Sequence, residues 1–173
     1  EEPEVRFETL VPRVRLAGVL EAMRAAHPYE EPAYDIVTLE NRDPGIGLGV
    51  RGSLRAGLPL ARFAGHVISR LNCGHVRIIG DRRRKVKHVA VIGGSGGSEL
   101  QRIPEDVDVV VTGDVKYHEG IEARRRGIAI VDAGHDVTER PIVPVLADFL
   151  RKRCRGVRVY GHDEPPLFEV LMK

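Results

Sequence analysis

The sequence is 173 residues long, 42% hydrophobic and 30% charged, the balance of a soluble globular chain long enough to bury a core. A formal net charge of +2 excludes an overall nucleic-acid footprint, and no apolar run or leader pattern suggests a membrane span or a secretory signal. Cys73 and Cys154 stand without motif spacing, which fits a reduced, cytoplasmic setting and ordinary packed or partly exposed thiols. The first residue is Glu1 rather than Met, so a trimmed, processed or partial chain is expected.

Glu4–Val11 alternates apolar and polar residues at a period of two, which predicts a strand with Val5, Phe7 and Thr9 on one side and Arg6 and Glu8 on the other. Val14, Ala17, Leu20 and Met23 recur at helical spacing, so Val14–Ala26 is expected to form an amphipathic helix. The prolines of His27–Pro32 stop that helix, and Ala33–Leu39 alternates again as a second strand. The Gly-rich stretch Asn41–Leu58 reads as a domain boundary. Beyond it the sequence predicts a helix at Leu60–Leu71, a strand at Val76–Gly80, a solvated basic turn at Arg82–Lys85 and a strand at Val86–Ile92. Val107–Thr112 and Ile128–Val131 are short apolar strands around a helix, Glu119–Arg126, closed by Gly127. A helix at Pro141–Lys152, a strand at Val157–Tyr160 and a short terminal strand at Phe168–Met172 complete the reading. This alternation predicts an α/β domain with a mostly parallel sheet, preceded by a separate β–α–β unit.

The chemistry-bearing residues gather after the apolar strands. His135 and Glu139 stand four apart where a strand gives way to a helix, so both can share one face and reach the same ion. Imidazole and carboxylate suit zinc, iron or manganese, and the carboxyl ends of strands are where open α/β sheets collect ligands. The plainer alternative is a capped helix start, with Asp136 or Thr138 as N-cap. Asp114 and His118 repeat the acid and imidazole spacing after Val107–Thr112 and are candidates for acid–base work in the same cleft. Gly93, Gly94, Ser95 and Gly96 open a Gly-rich turn whose amides could contact a nucleotide phosphate, although no Gly-Lys-Ser/Thr follows. His27, Glu30 and Glu31 read as the polar face of a helix stop.

Three of these strings, HPYEEPAYDI at His27–Ile36, GGSGGS with TGDVKYHE at Gly93–Ser98 and Thr112–Glu119, and DAGHDVTERP at Asp132–Pro141, together resemble the NIF-three-like family. Its members are dinuclear-metal proteins that include the GTP cyclohydrolase I type 2 homologues. The resemblance covers the later part of a full-length member. It implies that residues 1–40 are half of a ferredoxin-like insert, 41–59 a crossing segment (GLGVRG here against GLGRxG), and 60–173 the C-terminal half of the metal-binding α/β domain. It implies two divalent ions, with His135 and Glu139 among five ligands; the other three, an adjacent His-His pair and an Asp, come from the family's N-terminal part, and no His-His pair occurs in this sequence. Asp114 and His118 match positions lining the cleft. The implied activity is metal-assisted hydrolysis of a nucleotide-like substrate. The alternatives are a non-catalytic metal-binding scaffold that assembles with copies of itself into rings, and a nucleotide-binding module without metal.

Overall fold

The computed structural model describes residues 5–40, 45, 47–165 and 167. Backbone contacts divide the chain into two compact units, Glu1–Asp43 and Pro44–Lys173. In the first, a 3-10 turn at Arg13–Arg15 leads into helix α1, Leu16–Ala26. The helix stops at His27, whose extended ψ of 139° is the conformation that a following proline imposes. Arg24 donates a hydrogen bond to the Tyr34 hydroxyl and lies over its ring, pinning the returning chain to the helix.

The strands expected at Glu4–Val11 and Ala33–Leu39 are absent from the described residues, which run there without ladder partners. The reason is one of pairing rather than propensity. In a split β–α–β arrangement the two parallel strands are not neighbours, and a third strand between them supplies their hydrogen bonds. No described segment takes that place. Val5, Phe7, Leu10 and Val37 accordingly remain exposed.

The second unit is a five-stranded mixed sheet, covered on both faces. Its strands are β1 (Val50–Pro59), β2 (Arg77–Ile79), β3 (Lys85–Val91), β4 (Val109–Thr112) and β5 (Ala129–Asp132), in the order β1-β3-β4-β5-β2. The centre is parallel, β3 on β4 and β4 on β5, whereas both edge strands run antiparallel to their neighbours. The expected mostly parallel sheet is thus confined to the middle. Strand β1 occupies what the sequence suggested was linker; its two glycines and mostly exposed side chains hide the alternation that marks a strand. Val157–Tyr160 is not a strand: Arg151 holds the Val159 carbonyl instead, and no ladder forms. The terminal strand expected at Phe168–Met172 lies outside the described residues.

Strands β4 and β5 are buried along their whole length, which is why they read as unbroken apolar runs. On one face, helix α2 (Leu60–Leu71) sets Leu60, Phe63, Ala64 and Val67 against Val109, Val111, Ala129 and Val131. Each large side chain so buried stabilises the fold by roughly 1.5–3 kcal/mol. On the other face, a 3-10 turn at Gly97–Arg102 and helix α3 (Tyr117–Arg125) cover Ala90, Val110 and Ile130 with Leu100, Ile103 and Ala123. Helices α4 (His135–Glu139) and α5 (Ile142–Arg153) follow β5. Among the described residues no helix is long and apolar enough to cross a membrane.

Asp108 ties the amino ends of the central strands together, accepting the amides of Lys87 and His88 at 2.8 and 2.9 Å. Partial burial pushes its carboxyl upward, but the two amides and the Arg84 guanidinium outweigh that and hold it below its ordinary value of 3.8. A lowered folded-state value contributes stability above the ordinary one, lost as pH falls through the lowered one. Replacing Asp108 by Asn is expected to destabilise the fold by about 1–3 kcal/mol at neutral pH. Urea unfolding at pH 7 and again well below pH 3.8 checks this: the difference from wild type should shrink at the acid end.

Candidate functional site

Three loops leave the carboxyl ends of β3, β4 and β5 and meet over the sheet. The third turns at Gly134, whose φ of 91° lies in the left-handed half of the map that glycine tolerates, and α4 begins at His135. The four-residue spacing then does what the sequence suggested: His135 Nε2 lies 3.2 Å from Glu139 Oε1 on one face of α4. The second loop brings Asp114 to the other side of the ring, with Asp114 Oδ2 2.8 Å from His135 Nδ1. Asp114 takes a φ of 53°, a region in which Asp is among the few side chains tolerated. The loops can approach only because Gly113 has no side chain: a Cβ there would fall 2.5 Å from the His135 backbone nitrogen.

The Gly-rich turn forms the third wall. A Cβ on Gly94, whose φ is 65°, would sit 2.5 Å from Glu139 Oε1 and 3.1 Å from His135 Nε2, so the bare backbone lies directly against the pair. Two threonines fasten this wall, and sequence reasoning assigned neither that role. Thr138 accepts the Gly94 amide at 2.9 Å. Buried Thr112 donates to the Gly94 carbonyl at 3.0 Å and accepts the Gly96 amide at 2.8 Å. The capping alternative is corrected here: the N-cap of α4 is Gly134, which makes no side-chain cap bond, and Asp136 pairs with Arg140. Of the four residues expected to face a phosphate, Gly94 and Gly96 already spend their amides within the protein. The amides of Gly93 and Ser95 make no backbone hydrogen bond outside regular elements among the described residues.

The structure therefore brings Asp114, His135, Glu139 and Gly94 together. His118 stands exposed in the first turn of α3 and makes no hydrogen bond or ion pair with them among the described residues. The side chains of Asp114, His135 and Glu139 are 58%, 46% and 56% exposed, open to an incoming ligand. The hydrogen bond to Asp114 raises the His135 pKa above 6.5; partial desolvation opposes this, and the nearby Glu139 charge reinforces it. Any stability that the charged ring contributes is present below its ordinary value and lost as pH rises through the raised one.

The donor set has a definite capacity. The ring nitrogens point in diverging directions, so the two carboxylates lie on opposite sides of His135 and cannot share one ion through it. Among the described residues no group of three His, Cys, Asp or Glu side chains could hold a metal. With Asp114 on Nδ1–H, the arrangement by which carboxylates orient ligating imidazoles, Nε2 and Glu139 are left as a pair of donors on one side. Residues and geometry thus fit a divalent ion at two positions of its coordination shell.

A model of the family described as Duf34/NIF3 (NGG1p interacting factor 3) matches residues 9–165. The GTP cyclohydrolase 1 type 2 homolog of Bacillus subtilis (strain 168) is 41% identical over 161 residues, 91% of this chain and 43% of that protein. The homolog of the same name from Staphylococcus aureus (strain MRSA252) is 34% identical over 133 residues, 76% of this chain and 36% of that protein. The crystal structure of a Bacillus cereus protein related to NIF3 is similar with a TM-score of 0.72 and 34% identity, over 92% of this chain and 46% of that one. The chain spans less than half the length of these relatives.

Two outcomes test the geometry. Gly94→Ala should destabilise the fold by about 1–3 kcal/mol, since it combines a left-handed backbone with a clash against Glu139; thermal unfolding measures it. Asp114→Asn should return the His135 midpoint toward 6.5 in an NMR titration of the metal-free chain.

Proposed function

The chain belongs to the Duf34/NIF3 (NGG1p interacting factor 3) family, and from that premise we propose that His135 and Glu139 are its contribution to a divalent-metal site. The activity that this reading supports is metal-dependent hydrolysis of a nucleotide-like substrate, of the GTP cyclohydrolase 1 type 2 kind named for its relatives. The observation that carries the reading is the bond from His135 to Asp114, which leaves Nε2 and the Glu139 carboxylate facing one exposed space. Donors that would complete the coordination are water or groups outside the described residues.

A bound divalent ion would supply a Lewis acid and an activated water at near-neutral pH. The chain's own residues divide the remaining work. Asp114 orients the imidazole rather than carrying protons, because its carboxylate is engaged by Nδ1. Exposed His118 is the group left to move a proton to or from substrate. Gly93 and Ser95 offer the amides that Gly94 and Gly96 do not, so a substrate phosphate would be met at those two. A cytoplasmic setting, supported by the free Cys73 and Cys154, belongs to the same proposal.

Isothermal titration with zinc or manganese tests the reading. The chain should bind weakly, as two protein donors imply. His135→Ala should abolish that binding, whereas His75→Ala, an exposed histidine far along the chain, should leave it unchanged. Equal affinity in wild type and His135→Ala would reduce the stretch to a helix start.

A further inference from the structure

One buried carboxyl group at the carboxyl end of the sheet takes no direct part in the site. Asp132 closes β5 and is 4% exposed, where an apolar side chain would be expected. A carboxylate stays ionised in such a place only when it is paired and hydrogen-bonded. Its partners are specific: Oδ1 accepts the Gly134 amide at 3.1 Å, Oδ2 accepts the Val115 amide at 3.1 Å, and the Arg77 guanidinium pairs with Oδ2. Arg77 also reaches the Val115 carbonyl at 3.4 Å, so the residue after Asp114 is held at both its amide and its carbonyl.

The register makes this arrangement possible. Arg77 lies opposite Asp132 in the antiparallel pair β2–β5, and Thr112 lies opposite it in the parallel pair β4–β5. Partners in register project to the same face. Each amide held by Asp132 is one residue away from a member of the His135–Asp114 bond above: Gly134 precedes His135, and Val115 follows Asp114. A single rigid carboxylate thus spans the two loops whose side chains must meet.

We propose that Asp132 is a positioning residue: by fixing both loops from beneath, it sets the hydrogen bond between Asp114 and His135 and so the face that His135 Nε2 presents beside Glu139. The inference deepens the metal reading and rests on it for its purpose, but the positioning is a property of the metal-free chain and is tested there first. A merely structural Asp132 would stabilise the sheet edge without governing His135.

The test uses the chain as it is, with long-range proton–nitrogen NMR of the imidazole nitrogens followed by zinc titration. In the neutral ring of the wild type, Nδ1 should carry the proton. Asp132→Asn, which keeps one accepting oxygen and puts a donor in place of the other, should release His135 into a mixture of tautomers and weaken zinc binding by about tenfold or more. In an Asp114→Ala background the same substitution should change zinc affinity by less than about twofold, because the bond through which it acts is already gone. An unchanged His135 tautomer in Asp132→Asn, or an equal loss of affinity in both backgrounds, overturns the proposal. If Asp132→Asn does not fold, combining it with Arg77→Ala removes the cation it leaves unpaired, and an unaltered His135 tautomer in that double variant overturns the proposal equally. A wild type that does not bind zinc refutes the metal reading, while the tautomer comparison still decides the role of Asp132.

Discussion

Thr112 lies opposite Asp132 in the parallel pair β4–β5, and the arrangement above the sheet depends on that register. It sets two polar side chains side by side at the ends of two buried apolar strands. Thr112 holds the Gly-rich turn, and Asp132 holds the loops that carry Asp114 and His135. A slip of either strand by one residue would turn its polar side chain to the opposite face, where helix α2 packs, and would bury it among Leu60, Phe63 and Val67. The cost of burying an unpartnered polar group is what keeps the register single-valued.

The other end of the sheet is secured by the same physics with different partners. Asp108 receives two amides from β3 just before β4 begins, so the central parallel pair is anchored at its amino end by a carboxylate and at its carboxyl end by a hydroxyl. Between these anchors the strands carry only apolar residues, whose packing is strong but without direction. Apolar burial therefore supplies the stability of the sheet, and the polar groups at its ends define which loops it presents.

Much of this was legible in the residues alone. β4 and β5 announce themselves because both of their faces are covered, and the His135 and Glu139 pair follows from helical periodicity. What was not legible is whatever depends on a distant partner. The alternation in Glu4–Val11 and Ala33–Leu39 is real, yet a strand exists only where another strand accepts its hydrogen bonds. The edge strand β1 pairs along one side and exposes most of its side chains, so its sequence carries little of the pattern by which strands are recognised. The residues place Asp114 in one cleft with His135 and Glu139, but the spacing to His118 is the only pairing for it that they show. Its actual partner is 21 residues away, a relation set by the β4–β5 register and by the missing side chain of Gly113.

Helix α4 is only five residues long, too short to hold its shape from its own hydrogen bonds. Its geometry is borrowed: Thr138 reaches back to the Gly134 carbonyl and across to the Gly94 amide, and Gly134 is tied to the strand end below. The stretch from Asp132 to Glu139, cut out as a peptide, would keep every residue of the motif and lose the spacing that gives it meaning. Transplanting those residues onto another scaffold would fail for the same reason unless the neighbouring strand, its glycine and the threonine beneath the Gly-rich turn travelled with them.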